Sequence, residues 1–254
     1  MASNFVTQRF ERKMPMPTDT STRRPLKTRS WPLFQRIAAG FARDGVSPDA
    51  ISFSSIIFGL AAGGMLAATS RLDGWGLRAA ALAAALFIQF RLIANLLDGM
   101  VAIEGGKGGP TGDLWNEAPD RVADTAILIG AGYGAGASPI LGFAAALVAV
   151  FVAYVRALGA SVGAGQVFLG PMAKPHRMFA MTVTCLLLAI VLPTPAAIAS
   201  RSGALFRLNN GGQSMSWEVN LLNCALMIVI VGGVITAIRR LGRIAAFLYE
   251  RRSR

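Results

Sequence analysis

Long apolar runs recur along the chain, separated by short polar breaks. Six of them, 50–69, 79–97, 122–137, 140–155, 178–200 and 219–238, approach or reach the length of a membrane-crossing helix. The first has no charge, and the second is broken only by Arg91. The third is Gly-rich with Asp124 near its start, and Ser138-Pro139 turns the chain into the fourth, which ends at Arg156. Pro193 and Pro195 lie near the end of the fifth. Ahead of the first run, Ser47 is placed to cap a helix and Pro48 to sit in its first turn. Further upstream, 31–41 (WPLFQRIAAGF) puts Leu33, Phe34, Ile37, Ala38 and Phe41 on one helical face, with Arg36 and Arg43 off it. That pattern predicts an amphipathic helix lying in the membrane interface. The fold class expected is therefore all-α integral membrane: six transmembrane helices preceded by an N-terminal interfacial helix. Residues 1–30 read as a disordered basic cytosolic tail with no signal peptide, 31–243 as the membrane domain, and 244–254 as a basic cytosolic C-terminal tail. No internal repeat stands out, and the polar 199–217 loop suggests no purpose.

Composition agrees with that reading. Hydrophobic residues make up 54% and charged residues 15% of the 254, and the mean hydropathy is +0.51. A soluble chain carries about 25% charged residues, so a soluble enzyme and a disordered chain are both excluded. The net charge of +12 sorts by side. Twenty Lys and Arg fall in the N-terminal 48 residues, the C-terminal tail and the 98–121 and 156–177 loops. Four, Arg71, Arg78, Arg201 and Arg207, fall in the opposite loops. The basic side is cytosolic, and both termini lie there. The charge thus reflects topology and attraction to anionic headgroups, and nucleic acid is not expected as a partner. Cys185 and Cys224 sit in apolar runs, predict no disulfide and match no zinc spacing.

Polar residues concentrate between Asn95 and Asp124. Asn95 and Asp98 are three apart and share a face at the end of the second run. Asn116 and Asp120 are four apart at the start of the third, with Gly112 one turn earlier on the same face. Two neighbouring helix ends can then aim four oxygen-bearing side chains at one point, a donor set suited to Mg²⁺, Mn²⁺ or Ca²⁺. Arg91, Asn95 and Asp98 follow i, i+4, i+7, so Arg91 shares the motif face. It serves there either a substrate phosphate or a structural ion pair.

These intervals resemble the integral-membrane CDP-alcohol phosphotransferases, whose motif is D-x-x-D-G-x-x-A-R, eight residues, then G-x-x-x-D-x-x-x-D. The matching positions are Asn95, Asp98-Gly99, Ala102-Ile103, Gly112, Asn116 and Asp120. Pro110 resembles the choline/ethanolamine branch. Tyr154-Val155-Arg156, Lys174-Pro175-His176-Arg177 and the 235–239 segment resemble the bacterial branch, and the likeness spans about 31–243. It implies six spans, a cytosolic active site, a homodimer and the membrane of a bacterium (the inner one). The implied activity moves a substituted phosphate from a CDP-linked lipid or alcohol donor to an acceptor alcohol, releasing CMP, in phospholipid biosynthesis. Asn95, Asp98, Asn116 and Asp120 would hold Mg²⁺ or Mn²⁺, with Asp120 also the base. Asp98, Gly99, Ala102 and Gly112 would meet the nucleotide, and Arg156, Lys174 and Arg177 the acceptor's phosphate.

The chain departs from that motif at three places: two Asp are Asn, and the Arg is Ile103. The motif keeps charge −2 in place of −4, which suits one divalent ion rather than two. Glu104, Glu117 and Asp124 could compensate. A second register would take Asp120 and Asp124 as the final pair. Lys107, in a run of glycines, reads as part of a flexible loop, and His176 as an interfacial residue. A catalytically altered relative that binds lipid or nucleotide is the alternative function. A transporter fits poorly, because most runs carry no charge.

Overall fold

The structure is a computed structural model that describes residues 31–104, 112–190, 204–210, 213–218 and 220–253. For Glu104, Asp113, Asn116, 204–210 and 213–218 only the backbone course is described. The expectations for the 1–30 tail, Lys107 and Pro110, the end of the fifth run with Pro193 and Pro195, and the side chains of Glu104 and Asn116 lie outside the described residues.

The order is α1 (Pro32–Arg43), α2 (Pro48–Ala68), a 3-10 turn (Thr69–Arg71), α3 (Gly74–Glu104), α4 (Gly112–Gly132), α5 (Pro139–Ser161) and α6 (Lys174–Ile190). An antiparallel hairpin, β1 (Ala204–Asn210) and β2 (Gln213–Glu218), follows, and then α7 (Leu221–Arg252). The hairpin occupies the loop for which the sequence suggests no purpose. Four described helices are long and apolar enough to cross a membrane: α2 with its 3-10 turn, α3, α5 and α7.

Helix α2 starts as its sequence predicts. The Ser47 hydroxyl accepts from the Ala50 N–H at 3.2 Å, and Pro48 occupies the first turn, where its missing N–H costs no helical bond. The third run is displaced from its expected place. Its helix begins at Gly112, ten residues ahead of 122, because the polar 112–121 stretch turns its acids toward cations on neighbouring helices. It stops at Gly132, and Gly136 then takes a positive φ of 64° to reverse the chain. The sixth run continues as one helix to Arg252.

Helices α3 and α4 meet each other sparingly, but both pack closely on α2. The α2–α4 contact depends on missing side chains. A Cβ on Gly63 would lie 2.3 Å from the Ala126 carbonyl oxygen, and one on Gly59 would lie 2.4 Å from the Ala123 Cβ. Gly59 and Gly63 are four apart, the small-residue spacing that lets membrane helices approach closely. Gly63→Val is expected to destabilise the fold by about 1–3 kcal/mol, read as a lowered melting temperature in detergent. Gly64→Ala, at a position with nothing within 4 Å of the added carbon, serves as the control. Equal melting of the two variants would contradict the close contact.

A central core joins six helices through Leu66, Ile88, Ile127, Ala145, Met181 and Leu226. Helix α1 leans on α2 and α3 through Ala38, Phe34 and Ile37. Leu33 and Phe41 of the expected apolar face are exposed.

Candidate functional site

The polar residues of α3 and α4 converge with the start of α6 and the last turns of α5. On α3, the buried Arg91 donates through Nη2 to Asp120 Oδ1 at 2.9 Å and to Asp124 Oδ1 at 2.5 Å. Of the two roles the sequence left open for Arg91, the structure shows the ion pair. Asn95 Nδ2 donates to Asp120 Oδ1 at 2.9 Å. Lys174, the first residue of α6, donates from Nζ to Asn95 Oδ1 at 2.7 Å and to Asp120 Oδ2. Asp120 is therefore ringed by two cations and an amide.

Asp98 is held differently. The Ser52 hydroxyl donates to its Oδ2 at 2.7 Å and the Gly99 N–H to its Oδ1 at 2.5 Å. Both donors are neutral, and Asp98 makes no ion pair among the described residues. Burial in this crowded corner pushes the Lys174 ammonium down to about 8, while the Asp120 carboxylate pulls the other way.

The three residues expected to meet an acceptor phosphate have different partners. Arg156, at the end of α5, pairs with Glu117, which also accepts from Arg121 at 3.0 Å. Lys174 joins the Asn95–Asp120 pair. Arg177 is 2% exposed and committed to Asp124 Oδ2 at 2.8 Å and the Met172 carbonyl at 3.2 Å. All three line a cleft of about 390 Å³, together with Asn95, Asp120 and Glu117.

Of the expected nucleotide residues, Gly99 and Ala102 are half-buried on α3. Gly112 is exposed, with open space where a Cβ would stand. Ile103, in the place of the motif arginine, is 59% exposed, and His176 is exposed.

Arg240 of α7 is a lining residue that the sequence reading missed. It is 4% exposed and donates to the Leu169 and Val152 carbonyls at 2.9 and 3.1 Å. Its signal was the second of two arginines after the sixth apolar run, read there as tail charge.

The site offers oxygen donors of the kind a divalent cation takes. Asp98, held by two neutral donors and by no ion pair among the described residues, can offer its carboxylate to an external ion. The oxygens between Asn95 and Asp120 already face an ammonium.

No family model matches the sequence. The chain is 29% identical over 140 residues to archaetidylinositol phosphate synthase of Aeropyrum pernix, which covers 55% of this chain and 71% of that one. Its fold matches Mycobacterium tuberculosis phosphatidylinositol phosphate synthase solved with CDP-DAG bound, with a TM-score of 0.63 and 19% identity over 84% of this chain and 93% of that one. The same protein in complex with manganese and citrate gives a TM-score of 0.62 and 19% identity over 83% and 88%.

Proposed function

We propose that this chain, a relative of the CDP-alcohol phosphotransferases by sequence and by fold, moves a substituted phosphate from a CDP-linked lipid to an acceptor hydroxyl and releases CMP. The observation that carries the reading is the meeting of Asn95 and Asp120 with Arg156 and Lys174 around one cleft. A carboxylate there can take a proton, and cations beside it can hold an anionic acceptor. A relative binds CDP-DAG and the two relatives are inositol phosphate lipid synthases, which favours CDP-diacylglycerol as donor and a phosphorylated polyol as acceptor.

In the proposed reaction the acceptor hydroxyl attacks the phosphorus that bears the lipid. The new O–P bond forms as the phosphoanhydride bond breaks, CMP leaves, and the hydroxyl proton passes to Asp120. Attack requires the hydroxyl to take up the contact that Lys174 makes with Asp120 in the resting site. Asp98 would hold a divalent cation, Mg²⁺ or Mn²⁺, which when bound draws charge from the diphosphate. Contacts also favour the register ending at Asp120: Asn95 meets Asp120, while Asp124 lies one turn on and meets Arg91. Helices α4 and α6 supply the fifth and sixth crossings, α1 lies in the interface, and the site faces the cytosol of a bacterial inner membrane as part of a homodimer.

The test is CMP release by protein in lipid nanodiscs supplied with Mg²⁺ or Mn²⁺, CDP-diacylglycerol, and inositol phosphate, glycerol phosphate or free inositol. Metal-dependent release with a phosphorylated acceptor supports the reading. Absence of both release and CDP binding overturns it. Arg156→Ala is expected to raise the acceptor KM roughly 10- to 100-fold, the cost of one charge-assisted hydrogen bond, with the donor KM unchanged. An equal rise in both would remove Arg156 from the acceptor pocket.

One observation favours a second reading. Both Asp120 oxygens are engaged by Arg91, Asn95 and Lys174, an arrangement that suits binding of CDP-lipid without turnover. That reading expects CDP binding and no CMP release.

A further inference from the structure

At the site end of the bundle, Asp98, Asp120 and Asp124 lie with Arg91, Lys174 and Arg177, three anions with three cations. The pairing is uneven. Asp124 takes both guanidiniums, Asp120 takes Arg91 and Lys174, and Asp98 takes only the Ser52 hydroxyl and the Gly99 N–H.

Lys174 differs from the two arginines in what it touches. Its Nζ bridges two helices through Asn95 Oδ1 of α3, at 2.7 Å, and Asp120 Oδ2 of α4. An amide oxygen and a carboxylate oxygen are hard donors of the kind a divalent ion joins. An ammonium is a compact point charge and suits the same space, whereas a planar guanidinium would not.

We propose that Lys174 is a resident cation of this site. Its ammonium fills the position between Asn95 and Asp120 and leaves Asp98 to hold one external divalent ion. The inference rests on the metal-assisted transfer proposed above. It adds the number of ions and the group that stands where another would bind. The side-chain types agree with it. Asn95 contributes no charge, Asp120 contributes −1 and Lys174 +1, so the bridge is neutral as built. An added divalent ion there would have to displace the ammonium. Among the described residues no cation pairs with Asp98.

The test counts Mn²⁺ on the full chain in nanodiscs, by calorimetry and by electron paramagnetic resonance, with Mn²⁺ as the only added probe. The wild type is expected to bind one ion. Lys174→Met is expected to bind two, with the spin coupling of a close pair. Asp98→Asn with Lys174 intact is expected to lose the single ion, at least a tenfold weakening. This arm reads the inference even where the Met variant does not fold.

Two ions on the wild type overturn the inference and leave metal-dependent transfer standing. A single ion on a folded Lys174→Met chain, or an ion retained by Asp98→Asn, also overturns it. A wild type that binds no Mn²⁺ overturns the proposed function together with the inference.

Discussion

Asp120→Asn abolishes metal-dependent CMP release, with an expected fall of about 10²- to 10⁴-fold, the contribution of a positioned base. The substitution keeps the shape of the side chain and removes its charge and its proton affinity. Its neighbours limit the structural cost. Arg91 retains Asp124 at 2.5 Å, and Lys174 is 21% exposed and can turn toward solvent. The folded population and the melting temperature should therefore fall far less than the rate. A steady-state assay with CDP-diacylglycerol and saturating acceptor reads the rate, and nucleotide binding reads the intact pocket. Activity within threefold of wild type would place the base elsewhere. Lost activity with lost CDP binding would show instead that Asp120 works through binding, as a ligand to the cation and not as a base.

How far the sequence shows this site depends on which interactions lie within one helix. Asn95 and Asp98 share a face by spacing alone, and Ser47 and Pro48 announce the start of α2 by local chemistry. Residue spacing also put Arg91 on the face of Asn95 and Asp98. What it could not show was that Asp120 and Asp124 stand opposite. Those acids belong to another helix, whose rotation is set by its contact with Gly59 and Gly63 of α2. The same limit explains the misplaced start of the third helix. Residues 112–121 lie ahead of the apolar run, where spacing shows only a shared face for Gly112, Asn116 and Asp120; the helix there also has Glu117 and Asp120 paired with cations on α5, α3 and α6. Arg240 shows the opposite failure. It follows the pattern of a basic anchor at a helix end, but burial and carbonyl partners make it part of the interior. Spacing could not show that, because the carbonyls it reaches, Leu169 and Val152, lie on a loop and on another helix.

The largest stability effect is expected at Asp124, which the proposed chemistry does not use. Asp124 is 2% exposed and holds two buried guanidiniums, Arg91 at 2.5 Å and Arg177 at 2.8 Å. Both arginines are already short of partners. Nε and Nη1 of Arg91 and Nε of Arg177 have no hydrogen bond among the described residues. Removing the carboxylate leaves Arg177 without an ion pair among the described residues and Arg91 with Asp120 alone. Breaking a buried ion pair from one side costs about 3–5 kcal/mol, because the remaining charge stays desolvated. Asp124→Ala should therefore lower the yield of folded protein and its melting temperature more than Gly63→Val does. The cost comes from the uncompensated charge, not from the missing contact, and this yields a second expectation that separates the two. The triple change Arg91→Met, Asp124→Leu, Arg177→Met removes the charges together and leaves no guanidinium to satisfy. Its stability should lie close to that of the wild type, although Asp120 then loses its Arg91 partner and CMP release should fall. A triple variant as unstable as Asp124→Ala would mean that packing, and not charge balance, holds this end of the bundle together.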